Sequence, residues 1–267
     1  MPLSPLLTGY DHVLLDLDGC VWVGEQSTRA APEAVAELRA AHKQIAFITN
    51  DAQRSGEDYV RKLWSLGIRA SLAEVVTVGG AIQHVLAEAY PHGGTAYVIG
   101  SEAIFRHVGD AGLRIVNGTD LAAQADVVVV AGHDDVSFSE LREAVQSVIA
   151  GAHLIGAGRD RTFPMPDGPW PGTGALVAAL EYATSRTAEI VGKPDPQVFL
   201  TALDRMGPGR ALAVGDRLDA DLAAAAAAGL DAAIVLTGAT SRAEAEAAQE
   251  PAPVAIAEDL AALVLNE

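Results

Sequence analysis

Two carboxylates two residues apart, Asp16 and Asp18, stand in the run Asp16-Leu17-Asp18-Gly19 directly after an apolar stretch. Thr49-Asn50 follows a second apolar stretch, Gly192-Lys193-Pro194 a short third, and Gly215-Asp216-Arg217-Leu218-Asp219-Ala220-Asp221 a fourth. Taken singly, each has a plain structural reading. Asp-x-Asp-Gly is a polar turn, Asn50 a loop former, and Lys193-Pro194 a solvated turn. Asp216, Asp219 and Asp221 are acids of the kind favoured near a helix N-terminus. Together the four runs specify a reaction. Asp16 and Asp18, with a third carboxylate at another strand end, make a hard, oxygen-rich set suited to Mg²⁺. Such a set repels itself without a cation, and Mg²⁺ would offset both that repulsion and the charge of a phosphate dianion. One free carboxylate can then attack phosphorus to form an acyl phosphate, while a second carboxyl group protonates the leaving oxygen and later activates water. Thr49 offers a hydroxyl and Lys193 a compact ammonium for the phosphoryl oxygens. The 18 basic residues comprise three lysines (Lys43, Lys62, Lys193) and 15 arginines. A lysine at this turn, in a chain that otherwise uses arginine, points to a need for a small, point-like charge.

Such groups must be held at the carboxyl ends of parallel strands, where open α/β sheets bind ligands. Continuous apolar runs predict strands over Val13–Leu17, Ile45–Thr49, Tyr97–Ile99, Asp126–Val130, Ile190–Val191, Ala211–Val214 and Ala232–Leu236. Helical patterns lie between them over Ala31–Ala41, Ser55–Leu66, Gly79–Ala89, Ser139–Ile149, Thr173–Thr184 and Ala220–Ala228. Ser55, Ser139 and Asp219 stand where N-caps belong. The alternation argues for an α/β fold with a largely parallel sheet. Dense Pro/Gly punctuation at 91–94 and 169–172 brackets a stretch with its own strands and helices. The reading is a core over 1–92 and 171–267 with a second module, 93–170, inserted into it.

The 267 residues are 50% hydrophobic and 20% charged, enough apolar material for a large core and not the composition of a disordered chain. A formal net charge of −17 disfavours nucleic acid and anionic membranes as partners. The single cysteine, Cys20, excludes an internal disulfide framework. The first dozen residues lack a basic, long-apolar signal pattern, and the apolar runs are too short to span a bilayer. The expectation is a soluble, cytoplasmic protein.

The four motifs, in this order and over essentially the whole chain, resemble the haloacid dehalogenase superfamily of phosphohydrolases. Phe47-Ile48-Thr49-Asn50, Thr162-Phe163-Pro164, Pro171-Gly172-Thr173-Gly174-Ala175 and Val191-Gly192-Lys193-Pro194 are similar to its p-nitrophenylphosphatase or NagD-like branch. The resemblance implies a Rossmann-like parallel-sheet core carrying a smaller α/β cap domain between the second and third motifs. It makes Asp16 the nucleophile and Asp18 the general acid and base. Mg²⁺ would be held by the Asp16 carboxylate, the Asp18 backbone carbonyl and Asp216, with Asp221 orienting metal-bound water. Thr49 and Lys193 would bind the phosphoryl group, with Asn50 near the phosphate and the cap. The branch also implies a small phosphorylated metabolite as partner, glycerol phosphate or phosphoglycolate in first place, then nucleotide, sugar or pyridoxal phosphates. It often forms homodimers through the cap.

Two departures bear on the substrate. Asp51 stands where the branch commonly has a second Asn, and Gly158-Arg159-Asp160-Arg161 replaces an Asn-x-Asp pair. Arg159 or Arg161 is thus either a reader of the leaving group or a surface arginine. Trp22 and Trp170 either wall the entrance or pack the junction of core and cap, Cys20 reads as a small buried hydrophobe, and His133-Asp134-Asp135 reads as a loop. Among other chemistries, a dehalogenase needs neither a metal nor Asp18, and a phosphomutase returns its phosphoryl group to substrate. A phosphate-responsive receiver module has the same residue types but is a single domain of roughly 120 residues, within ordinary domain size.

Overall fold

The computed structural model describes residues 3–132, 135–165 and 168–266. Its two main sheets are built from β1 (His12–Asp16), β2 (Gln44–Thr49), β3 (Val75–Thr77), β4 (Gly94–Gly100), β5 (Leu113–Ile115), β6 (Val127–Gly132), β7 (His153–Gly156), β8 (Glu189–Ile190), β9 (Ala211–Gly215), β10 (Asp231–Val235) and β11 (Ala255–Ala257). The apolar runs become strands because both faces are covered: all five residues of β1 and all six of β6 are buried.

The six-stranded sheet has the order β11-β10-β9-β1-β2-β3. Parallel register sets Leu15 beside Val214, Asp16 beside Ile48 and Gly215 beside Ile234, so β1, β2, β9 and β10 end along one edge. From β1 the chain steps outward through β2 and β3, then returns on the other flank with β9, β10 and β11. The order therefore reverses between β1 and β9, which is where an open α/β sheet leaves a crevice for ligands. Val13, Leu15, Phe47, Leu212, Val214 and Val235 share one core with Leu38 of α1 (Ala31–Ala40) and with Leu260 and Val264 of α9 (Leu260–Val264). Full burial of each such side chain contributes about 1.5–3 kcal/mol.

Two compact units emerge. The first comprises residues 1–49, 56–76 and 193–267, the second 50–55 and 77–192. The second has its own parallel five-stranded sheet, β8-β7-β6-β4-β5, and a core of Tyr97, Ile99, Val128, Val130, Leu154, Val177 and Leu180. It is larger than the expected insertion of 93–170. Ile190 of β8 pairs with Gly156, and Val177 and Leu180 bring α6 (Thr173–Thr184) into the second core. α3 (Val78–Ala89) packs on α4 (Glu102–Asp110), with His107 Nδ1 2.8 Å from Gln83 Oε1. The punctuation at 91–94 and 169–172 marks turns inside this unit, not its limits.

The predicted caps need correction. α5 (Phe138–Ala150) is capped by Ser137, whose hydroxyl accepts from the Glu140 N–H at 3.2 Å while the Glu140 carboxylate accepts from the Ser137 N–H at 2.7 Å. Ser139 lies inside the first turn. The expected helix over Ala220–Ala228 starts instead with a π-turn, Leu218–Leu222, leading into α8 (Ala223–Ala227). Asp219 caps nothing there and pairs with Arg217 at 3.0 Å. α2 (Gly56–Ser65) begins directly after Ser55. Among the described residues no helix is long and apolar enough to cross a membrane.

Candidate active site

Asp16 is the last residue of β1, and the strand's burial carries its carboxyl group out of water. The Lys193 ammonium donates to Asp16 Oδ1, and also to Asp221 Oδ1 at 2.7 Å. Asp221 reaches this point because the π-turn after β9 folds it back on its own loop. Its Oδ2 accepts from the backbone N–H groups of Asp216 at 3.2 Å and Arg217 at 3.0 Å. π-turns of this kind are frequent at functional sites. Asp216, immediately after β9, has its Oδ2 held by the Ala239 N–H at 2.6 Å. Asp16, Asp216 and Asp221 each bring a carboxylate oxygen within 4.8 Å of the others, and all three are buried.

Three carboxylates against one ammonium leave a formal charge of −2 in a desolvated place. Burial pushes the Asp16 carboxyl group up to about 8, helped by the Asp221 and Asp216 charges and opposed by Lys193. Burial also raises Asp216, against the Ala239 hydrogen bond. Burial works against the Lys193 ammonium, but Asp16 and Asp221 outweigh it and hold the lysine firmly protonated. A buried acidic trio with a net deficit of two charges fits a hard divalent cation bound through oxygen. Asp221, expected to orient metal-bound water, is one of the three converging carboxylates and also the anchor of Lys193.

Asp18 is exposed at the turn beyond β1, and its Oδ1 accepts from the Trp22 indole N–H at 2.7 Å. Trp22 is fully buried, stacked on Tyr59 with centroids 6.2 Å apart, and the Lys62 ammonium lies 4.4 Å from its ring centre. It is a core residue with a polar tip, not a wall. Thr49 ends β2 one residue beyond Ile48, the register partner of Asp16, and is buried. Asn50 opens the segment 50–55 that clusters with the second unit. Within that unit Arg159 forms a two-pronged pair with Glu181, at 3.0 and 2.9 Å, while Arg161 is exposed. The Arg159 guanidinium is thereby a brace between the 158–161 loop and α6. Cys20 is fully buried and its thiol is pushed up by burial, as a small core residue would be. His133 and Asp134 lie outside the described residues.

Thr237, Gly238 and Ala239 were not singled out from the sequence. They begin two residues beyond the end of β10, so the rule that carried the other four motifs, to look beyond the carboxyl ends of parallel strands, applied to them as well.

A family description of haloacid dehalogenase-like hydrolases matches residues 13–114, and one of HAD-hydrolase-like proteins matches residues 190–263. The glycerol-3-phosphate phosphatase of Gallus gallus is 33% identical over 92% of this chain and 85% of its own length. The chain belongs to the haloacid dehalogenase-like hydrolases. Within that family it is also similar to the D-glycerol 3-phosphate phosphatase of Mycobacterium tuberculosis, 37% identical over 87% of this chain, which spans 64% of that relative's length. The crystal structure of a glycerol phosphate phosphatase from the same organism, in complex with magnesium, superposes with a TM-score of 0.89. Its identity is 36%, over 99% of this chain and 79% of that one.

Proposed function

We propose that this hydrolase is a Mg²⁺-dependent phosphomonoesterase that cleaves a small phosphorylated metabolite through an aspartyl phosphate on Asp16. The observation that carries the reading is the convergence of Asp16, Lys193, Asp216 and Asp221, from separate parts of the chain, on one buried point. Mg²⁺, held by Asp16, Asp216 and the Asp18 backbone carbonyl, would supply positive charge that draws the phosphate dianion in and stabilises the transferring phosphoryl group. Lys193 engages Asp16 Oδ1, which leaves Oδ2 as the oxygen that attacks phosphorus. The bond from phosphorus to the leaving oxygen breaks as Asp18 supplies that oxygen's proton. Asp18 then takes a proton from water, which attacks phosphorus and releases Asp16 and inorganic phosphate. The Thr49 hydroxyl and the Lys193 ammonium are the donors assigned to the phosphoryl oxygens, and Asn50 is retained as a further candidate for binding the phosphate.

Glycerol phosphate is the first candidate substrate, in keeping with the names of the relatives above, followed by phosphoglycolate. Arg161 is the cap residue retained as a reader of the leaving group, because Arg159 is committed to Glu181. A cytoplasmic setting and self-association through the second unit, where Phe138 and Tyr182 are 84% and 92% exposed, belong to the same proposal. The experiment is phosphate release from p-nitrophenyl phosphate and a metabolite panel with Mg²⁺ present. Asp16→Asn is expected to abolish turnover, and unchanged turnover in that variant rejects the mechanism.

A further inference from the structure

The carboxylate of Asp216 is enclosed on both sides by backbone. A Cβ on Gly19, which sits at φ +89, would lie 2.5 Å from the Asp216 carboxyl carbon, and one on Gly238 would overlap its Oδ2. The Ala239 N–H donates to Oδ2 at 2.6 Å and the Thr240 N–H to the Asp216 carbonyl at 3.1 Å. The Thr237 hydroxyl donates to the Gly19 carbonyl. The loop after β10 is thus tied by one side chain to the turn that bears Asp16 and Asp18, and by two backbone amides to the residue after β9.

We propose that Thr237 and Gly238 are positioning residues for the divalent cation: the segment 237–239 clamps Asp216 in a single orientation and fixes its spacing from the Asp16–Gly19 turn. The physical need is clear. A buried carboxylate close to two others is pushed away from them by charge, and Asp216 has two rotatable bonds with which to swing. An N–H donor on Oδ2 selects one rotamer and favours the ionised form. A glycine on each side lets the backbone come close enough to make that contact. The Thr237 bond links the loop after β10 to the turn after β1; outer partners of this kind commonly govern metal affinity tenfold or more.

The inference rests on the reading that the acidic cluster holds Mg²⁺, and the test separates the two. Mg²⁺ binding to the full chain is measured by titration calorimetry, alongside melting temperatures in EDTA. Thr237→Val, which keeps the side chain's size and loses its hydroxyl, is expected to weaken Mg²⁺ binding about tenfold. Its melting temperature in EDTA should stay close to the unaltered protein's, and Thr237→Ser should restore binding. Gly238→Ala is expected to weaken Mg²⁺ binding at least as much and serves if Thr237→Val fails to fold. Unaltered Mg²⁺ affinity in both variants overturns the clamp while leaving the phosphatase reading intact. So does a loss of stability in EDTA with no change in affinity, which would mark a merely structural role. Absence of Mg²⁺ binding by the unaltered protein overturns the cation reading and the clamp with it.

Discussion

At the scale of single residues, the proposed reaction needs Asp16 ionised, yet burial and two neighbouring acids hold its proton up to about 8. The sign follows. Below that value the carboxyl group is largely protonated and a cation must displace the proton to bind; above it the carboxylate is already free. Mg²⁺ affinity should therefore rise by up to about tenfold per pH unit between pH 6 and 8 and level off beyond. Calorimetric titrations at pH 6, 7 and 8 check this, and a pH-independent affinity would contradict it. Trp22 gives a second expectation. Its indole N–H holds the Asp18 carboxyl group, so Trp22→Phe keeps the stack on Tyr59 but frees Asp18 to rotate. Turnover of an alkyl phosphate, whose leaving oxygen needs a proton, should fall about tenfold or more, on the order of general acid–base effects. Turnover of p-nitrophenyl phosphate, with its better leaving group, should fall less. That Asp16, Lys193 and Asp216 meet was expected from the sequence because each follows an apolar run that reads as a strand. The hold of Trp22 on Asp18 was not, because a spacing of four residues in a turn implies no contact. Arg159 was read as open to two roles, and its partner Glu181 lay 22 residues away on a helix whose orientation the sequence did not reveal.

Among the elements, most strands visible in the sequence show an unbroken apolar run, such as Val127–Val130 in β6; the two-residue β8 was an exception, and the four-residue β7 was passed over. β3, β5 and β11 have three residues each, too few to carry a period, and they were passed over. α7 (Gln197–Met206) was also passed over, although it buries Val198, Phe199 and Ala202. The start of α5 shows how a cap is misread: two serines stand two residues apart, and only Ser137 has a glutamate three residues on, in Glu140. That reciprocal pair decides the helix start. Ser137→Ala should cost about 1 kcal/mol, against a few tenths for Ser139→Ala. Paired urea denaturation curves measure both, and equal losses would mean that the capping box contributes nothing. Asp219 was misread in the opposite way, since an acid near a helix start found an arginine two residues away and the turn took π geometry instead.

For the molecule as a whole, the net charge of −17 is a standing repulsion, and the buried trio concentrates part of it at one point. A cation bound there stabilises the folded state over the unfolded chain, which has no such site. At Mg²⁺ a hundredfold above its dissociation constant the gain is about 2.7 kcal/mol. Chelation with EDTA should lower the melting temperature by about 5–10 °C for a chain of this size. Excess NaCl screens exposed charges but should not reproduce the effect. Scanning calorimetry with the two treatments decides the matter. The existence of an inserted unit was readable from the broken strand–helix alternation; its limits were not, because β8 and α6 join the second core through contacts that leave no local mark.

The first unit is written in three pieces of chain, and its central strand waits for a neighbour almost two hundred positions downstream. On a ribosome, β1 and β2 emerge early, but the flank of β1 that β9 covers stays bare until residues 211–215 have been made. Lys193 meets Asp16 across 177 residues of sequence, and Asp221 comes later still. The four groups can thus meet only once residue 221 has been made, and a product ending before residue 193 would hold Asp16 without Lys193, Asp216 or Asp221.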